Sequence, residues 1–316
     1  MIKTLALISI LFVCFFEIEA QTTKELKLLS QFNYEKNITY KTIKGDTLDM
    51  ILFFPTVKKG QKSPVMLYTH GGGWGGGSKY NILRESFFNT LKILTDKGIA
   101  CAAIEYRLAR TGKSNVYDCV TDCKDAARFL VKNAEKYSLD INRMGVWGGS
   151  AGGHLSLMTA LGNNRDFIGD ESLSGYDPKF VCVASYFPLT SFVKTELLKS
   201  RGVEDPNRFI PLLGGLLSEK LDLARSLSPA ELLKKDSPPI LLLHGDKDVS
   251  LPIAQSLYMV EVAKTIGANV KLLTVKNAGH SFSGTNISPT MDQVNRISAD
   301  FIIENLTIRK DLNKKH

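Results

Sequence analysis

The chain has 316 residues, of which 44% are hydrophobic and 23% are charged. This composition excludes an extended disordered protein and is sufficient for a large core, so we expect one enzyme-sized domain. The net charge of +8 comes from lysines and arginines scattered along the sequence. Because they form no basic stripe with interleaved aromatic residues, nucleic acid is not an expected partner.

Residues 1–20 have the pattern of a secretory signal peptide. Lys3 precedes the apolar run Leu5–Phe16, and Ala20 ends a short segment that fits a cleavage site. The apolar run is too short for a comfortable membrane span. We therefore predict a periplasmic or secreted protein without stable membrane insertion after cleavage, in which residues 21–36 form an N-terminal arm.

The rest of the chain, residues 37–316, is predicted to be one catalytic domain. Two strands are expected near Asn37–Ile43 and Thr47–Phe54, and strands and helices then alternate along the sequence. This alternation is typical of an α/β fold with a mainly parallel sheet and helices on both faces. The segment Thr190–Leu233 departs from it and forms no further strand–helix unit, so we interpret it as an inserted cap or lid.

A glycine-rich loop, His70–Trp74, follows the apolar, strand-like run Val65–Tyr68. In acyl transfer, negative charge develops on the carbonyl oxygen, and backbone N–H groups of such a loop stabilise it. We assign the N–H groups of Gly72 and Gly73 as two donors of this site, the oxyanion hole. We interpret His70, the first residue of the loop, as structural. Trp74 is a candidate substrate-binding residue, with packing in the core as the alternative.

The segment Gly148–Gly152 matches the pattern G-x-S-x-G. It lies between the strand-like run Arg143–Trp147 and the helical run Leu155–Leu161. This context is that of the sharp turn that exposes a serine nucleophile. We therefore assign Ser150 as the nucleophile and the N–H group of Ala151 as the third donor of the oxyanion hole.

A serine nucleophile needs a base and a carboxylate that orients the base. The apolar run Pro239–Leu243 is followed by a loop that contains both Asp246 and Asp248, and their spacing alone does not choose between them. The last predicted strand, Val270–Val275, is followed by His280. Because catalytic groups gather at the carboxyl edge of such a sheet, we assign His280 as the base.

The other histidines have structural explanations. His154 lies one turn into the helix after the nucleophile, His244 ends a strand, and His316 is the last residue of a polar tail. The sequence contains no H-x-x-x-H or C-x-x-C pair, so no metal site is predicted.

Together these segments resemble the α/β-hydrolase fold esterases of the hormone-sensitive-lipase-like group. Within that group they are most similar to bacterial secreted carbohydrate esterases of the acetylxylan and feruloyl type. The resemblance covers residues 38–306, although many lipase-like members carry an acidic residue where this chain has Gly149. It implies ester hydrolysis without a cofactor, and it favours Asp248 over Asp246 as the acid. The segments that carry it are His70–Trp74, Gly148–Gly153, His244–Asp248 with Pro252, and Gly279–His280.

We therefore expect a secreted serine carboxylic-ester hydrolase that forms an acyl-enzyme. Its expected substrates are small acyl esters, above all acetyl or feruloyl groups on plant-type glycans. The alternatives are an arylformamidase-like amidase, a peptidase, and a noncatalytic binding protein of the same fold. Export argues against the amidase and the length of the chain against the peptidase, while the complete triad of Ser150, Asp248 and His280 argues against the binding protein.

Four cysteines, Cys101, Cys119, Cys123 and Cys182, remain after removal of the predicted signal peptide. Export would permit an even number to pair, but the sequence does not specify a connectivity. Cys119 and Cys123 are four residues apart on a predicted helix. Cys101 and Cys182 lie in apolar runs that are typical of buried thiols.

Overall fold

The computed structural model describes residues 24–43, 45–56, 60–198 and 205–307. The predicted signal peptide, residues 1–20, and His316 lie outside this part of the chain. An eight-stranded sheet in the order β1-β2-β4-β3-β5-β6-β7-β8 forms the centre of the molecule. Its strands are β1 Asn33–Ile43, β2 Asp46–Phe54, β3 Ser63–Thr69, β4 Ala100–Ile104, β5 Leu139–Gly149, β6 Phe180–Tyr186, β7 Ile240–Gly245 and β8 Val270–Val275.

The sheet is parallel from β4 through to β8. Only the pairs β1–β2 and β2–β4 are antiparallel within the described sheet. Strands β3, β4 and β7 are buried at every position, as expected when helices cover both faces. The predicted mainly parallel α/β architecture is therefore confirmed.

Helices pack on both faces of the sheet. Apolar residues of α1 and α7 join one core cluster, and those of α2, α3 and α6 join the other. Adjacent residues of β3 alternate between the two clusters, because successive side chains of a strand point to opposite faces. The helices are α1 Glu85–Asp96, α2 Val116–Lys132, α3 Ala151–Leu161, α4 Phe209–Leu213, α5 Leu221–Ser226, α6 Ala254–Ile266 and α7 Met291–Thr307.

The first strand begins earlier than the sequence suggested. It starts at Asn33 rather than Asn37, so the last residues of the predicted arm 21–36 belong to the sheet. A register shift interrupts the β1–β2 pairing between Glu35 and Ile38, and Asn37 has a positive φ of 59°. This bulge breaks the alternation of apolar and polar residues by which a strand is recognised.

Helix α3 is anchored at its C-terminal end by Lys124 of α2. The Lys124 ammonium group is fully buried and donates hydrogen bonds to Thr159 O, Gly162 O and Asn164 Oδ1 at 2.8–3.0 Å. These bonds satisfy carbonyl groups that the helix itself leaves unpaired. Burial lowers the pKa of Lys124 to about 7, and the charge of Arg128 acts in the same direction. The helix that begins after Ser150 is thus held firmly at its far end.

The four cysteines are buried and unpaired. Cys119 and Cys123 lie on α2, and the Cys119 thiol lies 3.1 Å from Arg107 O rather than bonding to its neighbour. Burial raises the pKa of the Cys182 thiol to about 12. These side chains therefore behave as small apolar core residues.

No helix in the described ranges combines the length and the hydropathy needed to cross a bilayer. Within the same ranges, no group of three or more His, Cys, Asp or Glu side chains is placed to share a metal ion.

Candidate active site

Ser150 occupies a sharp turn between β5 and α3. Its φ of 59° and ψ of −123° lie in a region that non-glycine residues rarely adopt. The turn is held in place by a hydrogen bond of 2.9 Å from the Ser150 N–H group to Tyr186 O. The Ser150 side chain makes no capping bond to the helix, so its hydroxyl is available for chemistry.

Two glycines allow this turn to pack closely against β3. A Cβ atom on Gly148 would lie 2.4 Å from Thr69 O, and one on Gly152 would lie 2.1 Å from the same oxygen. Both distances are far below van der Waals contact. The glycines of the G-x-S-x-G pattern are thus required by the approach of backbone to backbone.

We expect Gly152→Ala to destabilise the fold by about 2 kcal/mol or more, because backbone must shift to admit the methyl group. The free energy of unfolding measured in urea tests this. Gly175→Ala is the matched control, since a Cβ atom there meets nothing within 4 Å. Equal stability of the two variants would contradict the packing account.

A continuous hydrogen-bonded chain connects the three predicted catalytic residues. The Ser150 hydroxyl lies 2.9 Å from His280 Nε2 and can donate to it. On the other side of the ring, His280 Nδ1 donates to Asp248 Oδ2 at 2.7 Å. The three side chains come from the loops after β5, β7 and β8, which meet at the carboxyl edge of the sheet.

The Asp248 carboxylate is held in its ionised form. Its Oδ1 atom accepts hydrogen bonds from the N–H groups of Ser250 and Leu251 at 2.8 and 2.9 Å, and His244 Nε2 lies 3.4 Å from its Oδ2 atom. Burial alone would raise the pKa of Asp248. The hydrogen bonds from His244 and His280, with the charge of His280, instead hold that pKa well below its usual range.

The competing aspartate lies in a different position. Asp246 forms no hydrogen bond or ion pair with His280 among the described residues, and its Oδ1 atom is buried without a hydrogen-bond partner there. Its backbone N–H group bonds to Val275 O instead. The structure thus places Asp248, rather than Asp246, against the base.

The glycine-rich loop after β3 has the backbone conformation of an anion-binding turn. Gly72, Gly73 and Trp74 have positive φ angles of 126°, 60° and 61° in succession. The N–H groups of Gly72, Gly73 and Ala151 donate to no protein acceptor in the described part of the chain. Three donors near Ser150 are therefore free to bind an oxyanion.

His70 supports this loop from behind. Its ring stacks on that of Tyr106 with a centroid distance of 4.1 Å, and the Tyr106 hydroxyl donates to His70 O at 2.8 Å. The side chain is fully buried. This position fits the structural role assigned from the sequence.

Trp74 and His154 connect the oxyanion loop to the inserted segment. The indole Nε1 of Trp74 donates to His154 Nδ1 at 3.2 Å, and His154 Nε2 donates to Leu227 O at 2.8 Å. This arrangement requires a neutral imidazole, and burial lowers the pKa of His154 to about 4. Trp74 is only 4% exposed and packs in the core. It also lines the cavity, so its role as a substrate-binding residue stays a prediction. Apart from its place one turn after Ser150, His154 carries no sequence signal that indicates this role.

We expect His154→Leu to destabilise the protein by about 1–3 kcal/mol, because the Trp74 indole N–H group and Leu227 O lose their buried partner. Denaturation in urea measures this directly. His154→Gln, which retains one donor and one acceptor, is expected to recover part of the loss. Unchanged stability of the leucine variant would contradict the bridging role.

A cavity of about 370 Å³ opens onto Ser150 and His280. One part of its wall comes from the inserted segment, through Phe192, Arg208, Phe209 and Leu212. The other part comes from the oxyanion loop, β3, the start of α1 and the loops after β5, β6, β7 and β8. The further lining residues include Tyr68, Asn81, Arg84, Ser86, Phe87, Phe187, Leu189, Ser250, Leu251 and Ser281.

Comparison with known families fits this geometry. The family model BD-FAE matches residues 49–262, which include the oxyanion loop, Ser150 and Asp248. The chain belongs to the BD-FAE family. The matched region ends before His280, so the assignment of the base depends on the structure.

The chain is also similar to curated proteins and to solved structures. Esterase LipC of Mycobacterium tuberculosis is 27% identical over 77% of this chain and 61% of its own length. An isoprenylcysteine alpha-carbonyl methylesterase of Arabidopsis thaliana is 26% identical over 81% of this chain and 59% of its own. The chain thus spans about three-fifths of these curated relatives. Esterase 2 of Thermogutta terrifontis superposes with a TM-score of 0.72 at 21% identity, over 86% of this chain and 95% of the esterase, which shows the α/β-hydrolase fold.

Proposed function

We propose that this BD-FAE member is a serine carboxylic-ester hydrolase. The observation that carries the proposal is the hydrogen-bonded chain from Ser150 through His280 to Asp248. Three unpaired N–H groups beside that chain and a cavity that opens onto it support the same interpretation. The two curated relatives described above are esterases, which agrees with the proposal.

The proposed reaction proceeds through an acyl-enzyme. The Ser150 oxygen attacks the ester carbonyl while its proton passes to His280 Nε2, and the N–H groups of Gly72, Gly73 and Ala151 bind the oxyanion. Collapse of the tetrahedral intermediate breaks the bond to the alcohol oxygen, which takes the proton from His280. A water molecule then attacks the acyl group while His280 takes its proton. The bond between the acyl group and the Ser150 oxygen breaks, the serine oxygen takes the proton back from His280, and the free acid leaves. Asp248 stabilises the imidazolium that forms in both steps.

The inserted segment 190–233 is proposed to act as a cap over this site. Its described residues form short helical turns together with α4 and α5, and residues 199–204 lie outside the described part. Phe192, Phe209 and Leu212 are buried and line the cavity. A cap of this composition would bound the space available to the acyl or alcohol group.

The proposed natural substrates are short acyl groups, such as acetyl or feruloyl, on plant-type glycans. The protein is proposed to act on them in the periplasm or outside the cell, because the sequence begins with the pattern of a signal peptide. Hydrolysis of acetylated xylan and methyl ferulate by the purified protein tests the substrate class. Release of neither acetate nor ferulate would exclude it.

We expect kcat/KM for p-nitrophenyl esters to fall steeply from acetate and butyrate to decanoate. A longer chain would gain about 0.8 kcal/mol for each buried methylene group, but only if an apolar channel received it. The cavity of about 370 Å³ instead carries polar side chains such as Asn81 and Arg84 on its wall. A series of chain lengths, assayed below the critical micelle concentration of each ester, measures this. A maximum at decanoate would contradict the short-acyl proposal and indicate a lipase.

A further inference from the structure

The fixed charges on the cavity wall are all positive. Among the described residues that line it, Arg84 and Arg208 carry guanidinium groups, and no aspartate or glutamate lines it. Neither guanidinium group has an ion pair or a hydrogen bond within the described residues. By contrast, Arg107 and Arg128 are paired with carboxylates elsewhere in the molecule. The proposed hydrolytic mechanism uses neither of the two cavity arginines.

A second observation concerns a buried tyrosine hydroxyl in the same cavity. Tyr68, on β3, lines the cavity and is fully buried, yet its hydroxyl has no hydrogen-bond partner among the described residues. Other buried tyrosine hydroxyls are satisfied, such as that of Tyr186, which donates to Ser298 Oγ at 2.6 Å. Leaving a buried hydroxyl unpaired costs free energy. A partner that arrives with the substrate would remove this cost.

Phe87 connects Tyr68 to Arg84. The Tyr68 ring packs edge-on against the Phe87 ring with a centroid distance of 5.2 Å, and the Phe87 N–H group donates to Arg84 O at 2.8 Å. Burial raises the pKa of Tyr68, and the positive charge of Arg84 opposes that rise. Arg84 precedes α1, whose second residue, Ser86, lines the same cavity and donates to Ser281 O beside the proposed base. The unpaired hydroxyl of Tyr68 and the exposed guanidinium group of Arg84 therefore belong to the same cavity as Ser150 and His280.

We propose that Tyr68 and Arg84 form a subsite for a carboxylate carried by the ester substrate. The proposal rests on the proposed function and specifies the substrate as an anionic ester. A carboxylate accepts hydrogen bonds from both a phenol hydroxyl and a guanidinium group. The aromatic rings of Phe87 and Phe187 line the same cavity, whereas the Arg84 side chain is exposed to solvent. The net charge of +8 also favours the approach of anions.

The test compares esters that differ only in charge. For the acyl side, the pair is mono-p-nitrophenyl adipate and its terminal amide. For the alcohol side, the pair is meta-acetoxybenzoate and meta-acetoxybenzamide. The measured quantity is the ratio of kcat/KM for the anionic ester to that for the neutral ester, which cancels any general loss of activity. The pair that shows the preference identifies the half of the substrate that carries the carboxylate.

We expect the wild-type protein to prefer the anionic member of one pair by about tenfold or more, as a charge-assisted hydrogen bond allows. Arg84→Gln is expected to bring that ratio close to one. Tyr68→Phe, which removes only the unpaired hydroxyl, is expected to lower the ratio about three- to tenfold. Arg208→Gln is the matched control, because it removes the same charge from the same cavity but next to Gly73, and it should retain the preference.

Three results would overturn the subsite. The wild-type protein could hydrolyse the neutral esters without preferring either anionic partner, in which case the proposed function survives and the subsite fails. If Arg208→Gln abolished the preference and Arg84→Gln retained it, Arg208 rather than Arg84 would bind the carboxylate. If neither Arg84→Gln nor Tyr68→Phe changed the ratio of kcat/KM for the anionic ester to that for the neutral ester, the subsite would also be excluded. Hydrolysis of none of the four esters would instead contradict the proposed function itself.

Discussion

Replacing Ser150 with alanine is expected to lower kcat for ester hydrolysis on the order of 10⁶-fold, as loss of the nucleophile does in a dissected triad. The hydroxyl bonds to His280 and does not cap α3, so its loss removes the nucleophile without removing a support of the fold. Turnover of p-nitrophenyl acetate, corrected for spontaneous hydrolysis, measures the effect. The melting temperature should remain close to that of the wild type.

Ser156→Ala provides the matched control for this variant. Ser156 lies on the same helix and is fully buried, but its hydroxyl donates to Gly153 O and touches no proposed catalytic group. Its loss should leave turnover within a few-fold of the wild type. Near-wild-type turnover of Ser150→Ala would remove the basis of the whole mechanism.

Replacing Asp248 with asparagine is expected to lower kcat by about 10⁴-fold. The asparagine retains an oxygen that can accept from the N–H groups of Ser250 and Leu251, as Asp248 Oδ1 does. It cannot provide the negative charge that stabilises the His280 imidazolium, and its amide group can hold the ring in the wrong tautomer. Steady-state kinetics at saturating substrate, with the melting temperature as a check on folding, give the comparison.

Asp246→Asn separates the two aspartates of the same loop. Among the described residues, Asp246 forms no hydrogen bond or ion pair with His280, so this change should cost far less activity than the change at Asp248. A larger loss at Asp246 would mean that the acid of the triad is assigned to the wrong residue.

The elements with strong local signals were predictable from the sequence. The strand Val270–Val275 has the predicted bounds, since a short segment rich in apolar residues between polar turns indicates a strand. Ser150 and the glycines around it were recognisable because the chemistry and the close backbone packing both restrict the residue types. His280 could be placed because it follows the last strand.

Features that depend on distant contacts were not predictable. The buried ion pairs of Lys41 with Asp122 and Asp125 join β1 to α2 across more than 80 positions in the sequence, and no local pattern indicates them. The hydrogen bonds from Trp74 through His154 to Leu227 also depend on distant contacts, because the three residues come from separate segments of the chain. The bulge at Asn37 was missed for a different reason, since it interrupts the period-two pattern itself.

The central claim is that Ser150 is the nucleophile of a covalent mechanism, and labelling with an alkyl p-nitrophenyl phosphonate tests it most directly. Attack on phosphorus would release one p-nitrophenolate per protein chain and leave the phosphonyl group on the attacking oxygen. Intact mass spectrometry and peptide mapping should find one adduct per chain, on Ser150, and none in Ser150→Ala. Hydrolysis of esters by a protein that carries no adduct, or an adduct on any other residue together with loss of activity, would contradict the account.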